Sequence, residues 1–334
     1  MIPSNFSNPL LIALIALALL FDFLNGFHDS SNIVATVITS RSLNPRLTLL
    51  LAAVSELCGP FIFGVAVATT IGDELLVENS LTPLVLIAAL VSAVIWNLIT
   101  WYVGIPSSSS HALLGGMLGS AIAQSASVDI IQAQGLIKVV AALLLSPVIG
   151  LLVGYLVMRV TLFSLRKSSP KVNAWLRNLQ VVTLITLGLS HGTNDAQKTM
   201  GIIALGLLLT GQIDHFEIPL WVVGASACAI ALGTSFGSWR LIRTLGGKMY
   251  RIRPIHGFAS QIAGASVILG AALLGGPVST TQVMSSSILG VGAAERMNKV
   301  RWNVLGDMVT AWILTIPLSA LLAALIYLGL DRIL

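Results

Sequence analysis

Ten apolar stretches joined by short polar links limit what this chain can fold into. They run at roughly 9–40, 46–71, 81–104, 107–125, 135–161, 180–210, 217–239, 256–274, 278–294 and 303–330. Most approach or exceed the ~20 residues a helix needs to cross a bilayer. Charged residues make up 9% of the chain and hydrophobic ones 56%, whereas soluble domains carry about a quarter charged. In hydrocarbon every backbone polar group must be paired within the protein, which leaves helices or closed barrels. The short alternating segments of a barrel are missing, so the expected fold is all-α and polytopic. The net charge of +5 is no nucleic-acid signature, because the basic residues sit in the links between apolar stretches. That is the pattern of cytoplasmic loops. No Lys or Arg precedes the first apolar run, and no small-residue cleavage site follows it, so a cleaved signal peptide is not expected. Cys58 and Cys228 lie in apolar stretches and read as small packing residues.

The longest polar link, RKSSPKVNAWLRN at 166–178, divides two similar halves. NGFHDSSNIVAT in the first matches SHGTNDAQKTMG in the second, pairing Gly26 with Gly192, Asp29 with Asp195 and Asn32 with Lys198. Further on, GIPSSSSHALLGGMLG matches GGPVSTTQVMSSSILG. There Pro106 pairs with Pro277, Ser108 with Ser279, Ser109 with Thr280, Ser110 with Thr281 and Gly119 with Gly290. Chance gives one such match among small residues far more readily than two in the same order. Repeats with Gly/Pro-interrupted polar segments at matching places point to a secondary transporter. The expected organisation is a first repeat over 1–165, a basic cytoplasmic linker over 166–178 and a second repeat over 179–334.

Loop charge orients the halves. The link at 72–80 is acidic, and 126–134 carries only Asp129; both belong outside. The links at 162–178, 240–254 and 295–301 are basic and belong inside, while 211–217 is acidic. Segments 81–125 and 256–294 must then enter and return on one face. They are expected as two re-entrant helical hairpins with tips at PSSSS and PVSTT. Each half keeps an odd number of crossings, so the repeats have inverted topology and both termini lie outside.

At each tip a proline ends one helix and a Ser/Thr run starts the next. Helix N-termini favour anions, and the hydroxyls add donors. Two tips meeting near the midplane can surround a tetrahedral anion, although the same hydroxyls serve equally as caps and packing groups. Asp29 and Asp195 follow glycines in what read as broken helices. Carboxylates with Asn, Ser and freed carbonyls suit a small hard cation or a proton. Asp22, Glu56 and Asp307 are single acids in apolar surroundings, each a proton site or a structural partner. Lys198 either holds an anion or neutralises Asp195. His28 and His111 titrate near neutral pH or are satisfied by hydrogen bonds; His191 and His256 say less. Trp101, Tyr102, Trp239, Tyr250 and Trp302 read as interfacial anchors, and Gly115, Gly116 and Gly119 as close-packing positions. A nucleotide loop, a metal-ligand cluster and a nucleophile–base pair are all missing, so an enzyme is not expected.

NGFHDSSNIVATVITSR, SHGTNDAQKTMGII, GIPSSSSHALLGG and GGPVSTTQV together resemble the inorganic phosphate transporter (PiT) family in its short bacterial form. The resemblance covers essentially the whole chain. It implies phosphate uptake coupled to a cation, two inverted halves and outside termini. It implies a phosphate site at Ser108, Ser109, Ser110, Ser279, Thr280 and Thr281. Asp29, Asn32, Asn194 and Asp195 then hold the coupling cation or proton, with His28, Glu56 and Lys198 as accessories. If sodium is the driving ion, Asp29 and Asp195 are its ligands. The family's usual Asn-Asp reads His28–Asp29 here, and Lys198 stands where many members have Asn. Both departures favour H+ over Na+. Bacterial relatives often take phosphate as a divalent-metal complex, and that stays open.

The expected function is a cation-coupled phosphate symporter of the bacterial inner membrane, without a cofactor. Its expected partners are inorganic phosphate and membrane lipid, not nucleic acid, with a homodimer left open. The rivals are a sulfate permease on the same scaffold and an anion channel.

Overall fold

The computed structural model describes residues 8–72, 75 and 81–333. Every regular element among them is helical: α1 Pro9–Thr39, α2 Pro45–Phe63, α3 Ala66–Gly72, α4 Pro83–Val103, α5 Ser109–Ser125, α6 Ala133–Ser164, α7 Val172–Leu209, α8 Leu220–Phe236, α9 Trp239–Arg243, α10 Pro254–Leu273, α11 Thr280–Arg296 and α12 Trp302–Asp331. A π-helical turn, Thr244–Lys248, extends α9. Local chemistry sets many of the starts. Asn8 and Asn44 accept from the backbone N–H groups of Leu10 and Arg46, each at 3.0 Å, just ahead of a proline in the first turn.

Six of the described helices are long and apolar enough to cross a membrane. The pair α8–α9, bent by 61°, makes a seventh. The 38-residue α7 is outside that set because its middle is polar, and that middle is buried. An all-round apolar surface belongs on helices facing lipid; a polar stripe has to face protein.

Two expectations change here. α1 and α7 run unbroken through Gly26 and Gly192. Those glycines are there for contact: a Cβ on Gly26 would lie 2.0 Å from the Ile230 carbonyl of α8, and one on Gly192 2.2 Å from that of Glu56 on α2. The breaks fall instead at Gly64 (φ 81°) between α2 and α3, and at Gly237 (φ 71°) between α8 and α9. Both are patched from the opposite half. Gln197 of α7 accepts from the N–H groups of Val67 and Ala68 at the start of α3, and Ser30 of α1 accepts from that of Ser238. Helix α7 also begins within the expected linker, leaving 166–171 as the exposed connection.

The packing repeats between the halves. Exchanging α1–α6 for α7–α12 maps α1·α8 onto α7·α2, α5·α12 onto α11·α6 and α4·α12 onto α10·α6. Helices α4 and α5 pack on each other across a turn at 104–108, as do α10 and α11 across 274–279. α5 and α11 have 17 residues each, about 25 Å, less than the ~30 Å hydrocarbon core. Gly115 and Gly119 admit Ile316 and Ala320 of α12, as close-packing positions should. Loops grouped by charge also meet. The Gln132 N–H donates to the Leu75 carbonyl, and that of Arg301 to the Met249 carbonyl. The rest of the acidic 73–80 link lies outside the described residues. Cys228 and Asp307 are exposed on the outer surface, and Tyr250 is buried with its hydroxyl on Glu295, so it is no interfacial anchor.

Candidate functional site

Helical spacing builds the site from two facing stripes. Asp22, Asn25, Asp29 and Asn32 line one face of α1, three or four residues apart. His191, Asp195 and Lys198 do the same on α7. All are buried to within 2% of full coverage. Because α1 packs on α7, two lone acids half a chain apart become one cluster.

The second hairpin tip closes over that cluster. Ser279 caps α11 by accepting from the Gln282 N–H, which aims the next two hydroxyls at the aspartates. Thr280 Oγ1 lies 3.1 Å from Asp29 Oδ2 and 2.7 Å from Asp195 Oδ2. Thr281 donates to Asp29 Oδ1 at 3.0 Å and accepts from Asn32 Nδ2 at 3.0 Å. Asn194 grips the tip's backbone, donating to the Gly276 carbonyl and accepting from the Val278 N–H. The first tip enters through Ser110, whose hydroxyl lies 3.1 Å from the Val278 carbonyl.

Lys198 ties both tips to the aspartates. Its ammonium meets Asp195 Oδ1, Ser110 Oγ at 2.7 Å and the Val278 carbonyl at 3.0 Å. Three oxygens around one ammonium is a cation site filled by the chain's own charge. On the far side His191 stands between two acids. Its Nδ1 is 2.6 Å from Glu56 and its Nε2 2.9 Å from Asp195. Both are close contacts whose angles fall outside hydrogen-bond geometry. His28 Nδ1 lies 2.8 Å from Asp29 Oδ1. Asp22 accepts from Thr199 at 2.6 Å.

Four carboxylates (Asp22, Asp29, Glu56 and Asp195) are therefore buried with one ammonium among the described residues. Uncompensated charge in low dielectric is costly. One ligand atom each of Asp29, His191 and Asp195 lies within 4.8 Å of the others. That spacing fits a small cation with bonds of about 2.4 Å. A cavity of about 20 Å³ beside Ser110, Lys198 and Pro277 has room for roughly one water, so the tips are closed on each other.

The structure thus brings together Asp29, Asn32, Asp195, Lys198, Ser110, Thr280 and Thr281, with Asn194 on the tip backbone. Ser108 lies at the cap of α5, where its hydroxyl accepts from the His111 N–H and touches the ring at 2.6 Å. Ser108 and Ser279 thus take the capping role, and Ser109 is buried beside them. Glu56 joins the cluster through His191. Sequence reasoning missed His191, Asn25 and Gln197. The first two carried a usable signal, their three- and four-residue spacing from the aspartates.

Long apolar helices around a buried polar cluster rich in acids, closed by two Ser/Thr hairpin tips, define a polytopic membrane protein. Residues 25–323 match the model of the Phosphate transporter family. Two relatives, each called "Probable low-affinity inorganic phosphate transporter", come from Rhizobium meliloti and Bacillus subtilis. The first is 43% identical over 97% of this chain and 98% of its own length. The second is 44% identical over the same shares. The chain belongs to the phosphate transporter family, a family of transporters and not of enzymes. A solved structure called "The sodium-dependent phosphate transporter" shares the fold, with a TM-score of 0.88, 23% identity and coverage of 98% of this chain and 100% of that one.

Proposed function

We propose that this protein is a proton-coupled symporter of inorganic phosphate in the bacterial inner membrane, with both termini outside. The observation that carries this reading is the shared use of the tip hydroxyls. Thr280 and Thr281 now face Asp29 and Asp195. The same hydroxyls, with Ser110 and the N–H groups at the starts of α5 and α11, are the donors available to a phosphate. A donor turned to phosphate leaves its carboxylate oxygen bare in low dielectric. A proton or cation taken up with the anion restores the balance, and this joins the two fluxes. Lys198 already supplies one fixed cation beside Asp195, which favours a proton as the mobile partner. In this reading the halves are inverted and α4–α5 and α10–α11 re-enter from opposite faces. Rocking of one half against the other separates the tips, admitting a phosphate far larger than the present cavity. Hydrogen phosphate can also donate to a carboxylate; sulfate cannot.

Sodium is the second reading, favoured by the Asp29–His191–Asp195 donor set and by the sodium dependence in the name of the solved transporter of like fold. Labelled phosphate uptake into proteoliposomes, under an imposed pH gradient or an imposed sodium gradient, separates the two. Accumulation under the pH gradient alone, resistant to excess sulfate and lost in Asp29→Asn and Asp195→Asn, is the expected result. Accumulation only under the sodium gradient overturns proton coupling. Flux that never exceeds equilibrium makes the protein a channel.

A further inference from the structure

We propose that a second anion site lies on the basic-loop face, away from the aspartates, and takes a multiply charged phosphoanion larger than orthophosphate. A half-open cavity of about 1000 Å³ is formed there by the end of α1, the π-helical turn with the 249–253 link, and the segment after α11. Its volume is at the upper end of small-molecule sites. Arg41, Arg251, Arg253, Arg296 and Arg301 line it, and Glu295 is the only carboxylate among its lining residues. Guanidinium forks pair with phosphate oxygens two at a time, so five of them lining one cavity suit several phosphate groups at once. Arg41 lines the cavity from a left-handed backbone (φ 55°), a conformation that costs energy for any side-chain-bearing residue. Gly246 and Gly247 bring bare backbone to the same cavity.

The lone carboxylate is already satisfied. Glu295 accepts from Tyr250 at 2.7 Å, lies 2.7 Å from His256 Nε2 and pairs with Arg253. Burial pushes the Glu295 carboxyl up, but the Tyr250 and Arg253 donors with the His256 charge outweigh it and hold it at about 2. Glu295 is therefore a fixed counter-ion to Arg253, against which an incoming anion competes. Glu295 ends α11, the helix whose other end carries Thr280 and Thr281. An occupant that draws Arg253 away thus acts on the helix that closes the transport site. A phosphate-rich occupant can be a free anion or an anionic lipid headgroup, and both present the same chemistry.

The test is thermal unfolding of the purified full chain in neutral detergent and in lipid nanodiscs, with inorganic tripolyphosphate as the probe and sulfate at equal ionic strength as control. Tripolyphosphate is expected to raise the midpoint by about 5 °C when saturating, and sulfate to leave it in place. Arg41→Gln and Arg251→Gln, tested separately, abolish the rise, while Asp195→Asn keeps it. If the rise persists in phosphatidylcholine discs and vanishes in phosphatidylglycerol discs, the site holds and lipid is its natural occupant. No rise, a rise equal with sulfate, or one untouched by both arginine variants overturns the site. A rise lost only in Asp195→Asn places the binding at the aspartates and also overturns it. The outcome is independent of which ion drives transport.

Discussion

Thr280 has one hydroxyl hydrogen and two carboxylate oxygens within reach. The hydrogen goes to one of them, and the other must find a proton or a cation. This makes Thr280 the residue where anion binding and cation binding compete directly. Thr280→Val keeps the shape and removes the hydroxyl, leaving two buried carboxylate oxygens facing a methyl group. A hydrogen bond to a buried charge contributes about 1.5–3 kcal/mol, so phosphate accumulation is expected to fall about tenfold or more. Thr280→Ser, which keeps the hydroxyl, is expected to restore most of it. Initial rates of labelled uptake, normalised to inserted protein, check both. Equal rates in the valine variant and the parent remove the hydroxyl from the mechanism.

At the scale of the elements, glycine sets how closely the long helices cross. Gly26 of α1 meets the Ile230 carbonyl and Gly233 of α8 meets that of Phe23, so neither partner can retreat. Gly26→Ala places a methyl group inside that contact and is expected to cost about 1–3 kcal/mol through overpacking. Gly224→Ala, on the same α8 but facing open space, is expected to match or slightly exceed the parent through better helix propensity. Thermal unfolding of the two purified variants decides it, and equal midpoints contradict the argument. These glycines also mark what is legible in the sequence. Apolar length reveals the spans, and the duplicated PSSSS and PVSTT runs reveal both hairpin tips, because proline and hydroxyl caps act on their nearest neighbours. Gly26 and Gly192 read wrongly as breaks, because a glycine at a helix crossing and a glycine at a helix end look alike until the partner helix is known. The true breaks at Gly64 and Gly237 depend on Gln197 and Ser30 from the other half, which no local pattern reveals. His191 is half legible: its four-residue spacing from Asp195 is a local signal, but its second carboxylate, Glu56, comes from α2.

On the scale of the whole molecule, the halves are interlocked and not side by side. α1 packs on α8, α2 on α7, α5 on α12 and α6 on α11, so the closest partners of most helices belong to the other half. The cluster is likewise shared, with Asp29 from the first half and Asp195, Thr280 and Thr281 from the second. A half made alone exposes the glycine-lined faces; the first half leaves Asp29 without Thr280 and Thr281, and the second leaves Lys198 without Ser110, and buried charges without partners are not tolerated in a bilayer. The connection between the halves, by contrast, is exposed from 166 to 171 and lends no residue to the cluster. Cutting the gene there should therefore separate what the chain needs from what it does not. Each half expressed singly is expected to be degraded or to show no uptake. The two halves co-expressed are expected to co-purify through a tag on one of them and to recover most of the phosphate accumulation of the intact chain. Pull-down yield and vesicle uptake measure this together. A single half that is stable and transports alone defeats the interlocked arrangement, and so do co-expressed halves that never associate.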